Sequence, residues 1–284
     1  MRMSLPALWY FLVAVHARMA RGRFGLIAAG VAFFAIFAVF PGLAASVAVW
    51  SLVADPAVIA PWLEGAEGFL PEEAAALLRD QIVALLATPR ATLGWATALT
   101  IGVALLSARA GVSALVGALE AVHRTRPRPF LWRWMVDILL TCALILALCA
   151  ALATSILLPL LLGFLPLGGV EAWLLSILPR LGLFLLVLAC LAILYRFGPN
   201  RAPGRRPRIA LGVGVAAVGW AAVSYGFSAY LASFGTYNRV YGSIGAVAAL
   251  LMWLYLSVWS VLLGAAVNAE RARISARSDA RGSG

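Results

Sequence analysis

The polar residues of this sequence are few, and most stand inside or beside long apolar runs. Arg109 and Ser113 are one helical turn apart, and Glu120 lies eleven residues beyond Arg109. Eleven residues bring an α-helix back to nearly the same face, so Arg109, Ser113 and Glu120 are predicted to line one polar stripe. A guanidinium on such a stripe suits a phosphate or carboxylate. The alternative is an Arg109 that lays its apolar stem along the helix and reaches headgroups. Asp137 is expected to pair with Arg133 or with a neighbouring helix, a structural role. Pro41-Gly42 interrupts an apolar run that starts at Phe24. Broken helices free backbone groups that transport proteins use to line substrate sites, although a harmless kink is equally common in apolar helices.

A second polar group lies near the C-terminal third. Tyr237, Asn238, Arg239 and Tyr241 fall in a short stretch with Gly235 and Gly242, where Arg239 is the one guanidinium. This stretch is predicted to be a polar turn able to meet a phosphate; belt aromatics on a tight turn are the alternative. Gly242, Ala246 and Ala249 are expected to let a helix pack closely on a neighbour. Asn268 closes the last apolar run, where capping or a bond across to another helix is expected.

The sequence holds no familiar catalytic pattern. There is no nucleotide-binding Walker loop and no HExxH, nor a GxSxG elbow. His16 and His123 are far apart and lack acids at ligand spacing. Cys142, Cys149 and Cys190 all sit in apolar runs without a CxxC pair, which argues against a metal site or a disulfide framework. No catalytic residue, metal or cofactor is expected. A lipid-modifying enzyme would have only Arg109 with Glu120 to offer, and no nucleophile.

The elements that must position these residues follow from composition. Of 284 residues 64% are hydrophobic and 12% charged, against about a quarter charged in soluble domains. Such a chain cannot cover a water-facing surface, and a spanning helix needs about 20 apolar residues. The expected fold is all-α: one polytopic membrane domain over 1–284 with six transmembrane helices. The spans are placed at about 24–53, 92–108 with the helix continuing as far as 122, 134–158, 179–195, 209–232 and 241–267. Residues 1–23 read as an amphipathic interfacial helix. Residues 54–90 read as an outer loop carrying a surface helix over 71–87, and 270–284 as a polar tail.

All 22 basic residues are Arg, and the net charge is +11. Eighteen of those 22 fall in the N-terminal segment, in 109–133, in 196–208 and in the C-terminal tail. With six spans these four regions share one side, which the positive-inside rule makes cytoplasmic. Both termini are therefore expected inside. Anionic lipid headgroups are the expected partners. Nucleic acid is disfavoured because the Arg residues are divided among short loops.

Two stretches carry a more specific signal: GLIAAGVAFFAIFAVFPG from Gly25 to Gly42, and YLASFGTYNRVYGSIGAVAALLMWLYLSVWSVLLGAAVNA from Tyr230 to Ala269. Together they resemble the YihY/BrkB family of bacterial inner-membrane proteins. The last-span pattern matches at Tyr237, Asn238, Val240, Tyr241, Gly242 and Ser243, at Trp253, Leu254 and Tyr255, and at Gly264, Ala265, Asn268 and Ala269. Arg128-Pro129-Phe130 and Tyr195-Arg196 are similar too. Where the family often has Glu in its closing motif, this chain has Ala266, so a role for that carboxylate does not carry over; Glu270 stands four residues later. The resemblance implies a six-helix inner-membrane (plasma-membrane) protein, with transport or flipping of lipids and envelope glycolipids as the suggested activity. A scaffold that recruits envelope proteins through its basic loops is the alternative. The ribonuclease BN label that some members carry finds no support, because no acid cluster for metal-assisted phosphodiester cleavage is present. Substrate, direction, energy source and oligomeric state do not follow from the sequence.

Overall fold

The computed structural model describes residues 5–51, 83, 95–163, 170–200, 209–233 and 237–282, and among these the chain is helical, with no strand. The helices are α1 (Leu5–Arg21), α2 (Phe24–Ser51), α3 (Trp95–His123), α4 (Phe130–Gly163), α5 (Val170–Phe197), α6 (Ala210–Ser233) and α7 (Tyr237–Gly282). The expected outer loop at 54–90, with its surface helix over 71–87, lies outside the described residues except for the helical Val83.

Several helices run past the points where polar or breaking residues would end them in water. Pro41 does not break α2, which passes through it to Ser51. Proline removes one N–H from the ladder, but apolar surroundings offer the remaining backbone groups no competing partner. Gly42 lies against α3, where a Cβ would come within 3.8 Å of Ala108 Cβ. Helix α3 continues past Arg109 to His123, and α5 begins at Val170 rather than near 179. Helix α7 already includes Tyr237–Tyr241, the stretch expected as a polar turn, and carries the expected polar tail as helix to Gly282. The Tyr237–Tyr241 stretch is therefore the first turn of a helix rather than an irregular turn, and the first N–H groups of that turn have no partner within the helix.

The packing is inside-out relative to a soluble domain. Many buried positions carry alanine, such as Ala28, Ala32, Ala108, Ala118, Ala216, Ala217, Ala265 and Ala266, while Leu26, Phe33, Phe34, Phe37, Leu139, Leu146, Leu185 and Val218 point outward. Small residues at contacts and large apolar ones outside are what an apolar solvent favours. Helix α2 packs along α3 and α6 along α7; α7 also touches α1, α2 and α3, and α4 bridges α3 and α5.

Two crossings are set by glycine. A Cβ on Gly111 of α3 would lie 2.7 Å from Ala38 Cβ of α2. A Cβ on Gly212 of α6 would overlap the Gly264 carbonyl oxygen, and one on Gly264 the Gly212 carbonyl oxygen, so two backbones touch. Asn268 Oδ1 accepts the Gly212 N–H at 2.9 Å and Tyr195 Oη donates to the Val261 carbonyl at 2.6 Å, which ties α5 and α6 to α7.

By length and composition Gly102–His123, Phe130–Ala150, Ala210–Tyr230 and Val247–Ala276 are apolar enough to cross a membrane. The segments Trp9–Arg21 and Phe24–Val39 also pass together but meet at 61°, and Leu181–Phe197 is a shorter apolar helix.

Candidate functional site

The densest polar group lies between α3 and α4. Asp137 of α4 is fully buried, and its Oδ2 receives Arg109 Nη1 of α3 at 3.3 Å and faces Arg133 Nε at 4.0 Å. One turn short of the α3 C-terminus, Glu120 Oε2 lies 3.7 Å from Arg133 Nη1 and Oε1 lies 3.6 Å from Arg128 Nη1. Arg133 thus links the two carboxylates, and its Nη2 also donates to the Ser113 carbonyl at 3.4 Å. Gly117 leaves the space this guanidinium uses, since a Cβ there would lie 3.1 Å from Arg133 Nη2. The Arg109 guanidinium sits 6.0 Å from the centre of the Trp134 ring.

The turn between α3 and α4 explains how this geometry is held. Arg124 takes a left-handed conformation with φ 53°, and the Thr125 N–H returns to the Glu120 carbonyl at 3.1 Å, which closes α3. The chain then brings Arg128 under the C-terminus of α5. There its guanidinium donates to the carbonyls of Gly198 at 2.6 Å, Phe197 at 2.9 Å and Pro199 at 3.2 Å. Those carbonyls lack helical donors and carry the negative end of the helix dipole. Desolvation pulls the Arg128 pKa below its ordinary value while Glu120 pushes it up; a guanidinium still remains charged at neutral pH.

Three guanidiniums therefore surround two carboxylates, and the group is not internally complete. Asp137 Oδ1, Glu120 Oε1 and Arg109 Nε are buried without a hydrogen-bond partner among the described residues. Buried polar atoms are nearly always paired, so this cluster is suited to a polar ligand, a proton or water.

A second group joins α1 to α7. Glu270, 2% exposed, accepts Arg18 Nη2 at 3.1 Å and Nε at 3.3 Å on Oε2, and Arg273 Nε at 2.8 Å on Oε1, with Arg273 Nη2 also in contact. Arg18 Nη1 donates in addition to the Val122 carbonyl at the end of α3, at 3.2 Å. Arg18, Arg128, Glu120, Glu270 and Arg273 therefore gather where the C-terminal ends of α1, α3 and α5 meet α7, just past its last apolar run.

The residues singled out from the sequence fall into three sets. Arg109, Ser113, Glu120 and Asp137 share the α3–α4 group, but Arg109 and Glu120 are linked only through Asp137 and Arg133, and Ser113 contributes its carbonyl. Pro41 and Gly42 lie within the continuous α2. Tyr237, Asn238, Arg239, Tyr241, Gly242 and Ala246 lie on the first turns of α7, and their side chains are outside the described residues. The sequence reading missed Arg18, Glu270, Arg273 and the bridging roles of Arg128 and Arg133. One signal was available: Glu270 is the one acid between Glu171 and Asp279, set at the end of an apolar run among Arg residues. Among the described residues no group of His, Cys, Asp and Glu could hold a metal ion, and none of the three cysteines is in a disulfide.

A family model described as Virulence factor BrkB matches residues 15–283, nearly the whole chain. The chain belongs to the BrkB family. A UPF0761 membrane protein of Xanthomonas campestris pv. campestris is 38% identical over 95 residues, 34% of this chain and 22% of that protein. Its counterpart in Xanthomonas oryzae pv. oryzae is 36% identical over 100 residues, 35% and 23% of the two chains. One in Stenotrophomonas maltophilia is 35% identical over 109 residues, 38% and 26%. The matched stretch spans about a quarter of the length of these curated relatives. No solved structure matches the chain. Family membership, relatives named as membrane proteins and several long apolar helices together make this a helical multi-pass membrane protein.

Proposed function

We propose that this BrkB-family protein moves an anionic lipid or envelope glycolipid across a bacterial inner membrane, with the α3–α4 ion cluster as the polar station on the path. One observation carries the reading: two buried carboxylates among three guanidiniums keep polar atoms without partners between helices long enough to span. Ionisable groups at membrane depth are costly and mark substrate, ion or proton paths. Arg109 and Arg133 supply the positive charge for a phosphate, while Glu120 and Asp137 prevent that charge from holding the ligand permanently.

The same reading takes the six helices α2 to α7 as six spans with both ends cytoplasmic. The convergence of the end of α1, the α3–α4 turn, the α5 C-terminus and α7 around Glu270 supports it, because these adjoin the four Arg-rich regions that the positive-inside rule assigns to the cytoplasm. Arg239, with Tyr237, Asn238 and Tyr241, would meet the headgroup on the opposite side.

The test is headgroup translocation of a fluorescent phosphatidylglycerol in reconstituted vesicles. Arg109→Gln and Asp137→Asn are expected to slow it at least ten-fold, with the melting temperature in detergent as the check on folding. Wild-type rates in both variants, or no translocation by the wild-type protein, would remove the transport reading. If Arg124→Gln and Arg126→Gln on the exposed turn instead removed a cellular phenotype that Asp137→Asn spared, a scaffold would take its place.

A further inference from the structure

Helix α1 turns into α2 at Gly22-Arg23, and the second residue of this elbow is one that its geometry disfavours. Gly22 N–H returns to the Arg18 carbonyl at 3.0 Å and Arg23 N–H to the Ala20 carbonyl at 3.1 Å, which ends α1. The Arg23 carbonyl then accepts the N–H groups of Leu26 at 3.0 Å and Ile27 at 3.2 Å, which starts α2. Gly22 is required, because a Cβ there would run into the Phe24 ring. Arg23 itself has φ 51°, the left-handed region that favours Gly or Asn. An arginine kept at a position that glycine would occupy more easily is a local cost that points to a use for its guanidinium.

Beside this elbow lies a cleft of about 540 Å³ between α1, the start of α2 and α7. Its lining is apolar, including Met19, Leu26, Trp259 and Leu263, with two polar side chains, His16 and Arg23. Neither of these two has a side-chain hydrogen bond or ion pair among the described residues. The other guanidiniums of α1 are engaged: Arg18 on Glu270 and Arg21 on the Ala17 carbonyl at 3.0 Å. Leu26 and Trp259 are exposed at the margin, so the cleft opens toward the outer apolar surface of the bundle.

We propose that this cleft binds one anionic phospholipid, with its phosphate on Arg23 and His16 and the start of an acyl chain along Leu26, Trp259 and Leu263. The depth fits. An amphipathic helix lies at the headgroup boundary, and a 61° bend into an apolar helix puts the elbow where the phosphates are. The charge fits as well, since an unpaired guanidinium next to an apolar slot is complementary to a headgroup above a hydrocarbon chain. The volume is that of a small-molecule pocket, enough for a headgroup and the first part of a chain while the remainder stays in the bilayer. Such binding needs only that the chain lies in a membrane; it does not depend on lipid being moved.

Native mass spectrometry of the full-length protein in detergent, with phosphatidylglycerol or phosphatidylethanolamine added, tests it. Phosphatidylglycerol should be retained preferentially. Arg23→Gly should weaken that retention about five-fold, as expected for one Arg near a lipid surface. The same substitution should leave the melting temperature unchanged or raise it, because glycine accepts the elbow conformation, so lost binding is not lost folding. A phosphatidylglycerol with a diazirine on its acyl chain should label the peptide containing Trp259 and Leu263. Wild-type retention in Arg23→Gly, equal retention of the two lipids, labelling only at the Phe33–Phe37 face, or occupancy of the cleft by a second copy of the chain would each overturn it.

Discussion

The protein buries carboxylates among guanidiniums in two places and treats them differently. At Glu270 the bonding is complete: both oxygens are bonded, Arg18 and Arg273 divide them, and Arg18 uses its remaining nitrogen on the Val122 carbonyl. At Glu120 and Asp137 it is not. Glu120 has no contact shorter than 3.6 Å to Arg128 or 3.7 Å to Arg133, and one oxygen of each carboxylate has no hydrogen-bond partner among the described residues. A complete ion group fixes three helices to one another. An incomplete group, held in place by the α3–α4 turn and the α5 C-terminus, keeps capacity for something else. The charge content of the two groups is similar; the difference is in what remains unbonded.

The largest effect expected from this comparison is on stability at the complete group. Glu270→Ala leaves Arg18 partly buried with only the Val122 carbonyl, and breaking a buried pair from one side costs about 3 kcal/mol. Chemical or thermal unfolding in detergent should register it, and detachment of α1 should raise protease cleavage near Arg21. If Glu270→Ala melts like wild type, the two groups do not differ in the way described. Next in size is the α6–α7 crossing that carries Glu270 to its place. Gly264→Ala adds a methyl group against the Gly212 carbonyl, the Tyr195 hydroxyl and Ala216 Cβ, and overpacking of this kind costs about 2 kcal/mol. Gly30→Ala, with nothing within 4 Å of its Cβ, is the control and should be neutral or slightly stabilising, since alanine favours helix by about 1 kcal/mol.

Much of the fold was legible because apolar length and Arg placement are coarse signals that many residues share. The helices α2 to α7 each cover most of one of the six apolar runs read from the sequence. Boundaries were less legible, and the reason is the solvent. In water, Pro41 and Pro159 would tend to end helices, but in apolar surroundings an unpaired backbone group has nowhere else to go. The site was half legible. Arg109, Glu120 and Asp137 stand out as charges within or beside apolar runs. Arg133 reads as a partner for Asp137 and Arg128 as an ordinary loop cation, since nothing in one dimension shows that a turn closed by Arg124 folds them back onto Glu120. Glu270 is visible as an acid after the last apolar run, but its role is hidden, because its partner Arg18 is 252 residues away.

The smallest and most discriminating effect is expected at the incomplete group. Asp137→Asn keeps the shape of the side chain and removes its charge. Arg109 is a quarter exposed and Arg133 about a third, so solvent can compensate both, and the stability loss should be about 1 kcal/mol, well below that of Glu270→Ala. The new amide would also present an N–H₂ donor where an oxygen is now unbonded. A double-mutant cycle of Arg109→Gln with Asp137→Asn, read by unfolding in detergent, should give a coupling of about 0.5–1 kcal/mol, the lower end for residues in contact. A coupling of several kcal/mol would make Asp137 the equal of Glu270, a structural ion pair. A small coupling in stability together with a large loss of lipid translocation would separate the two groups by function, because the same side chain would then matter little for holding the helices and much for what passes between them.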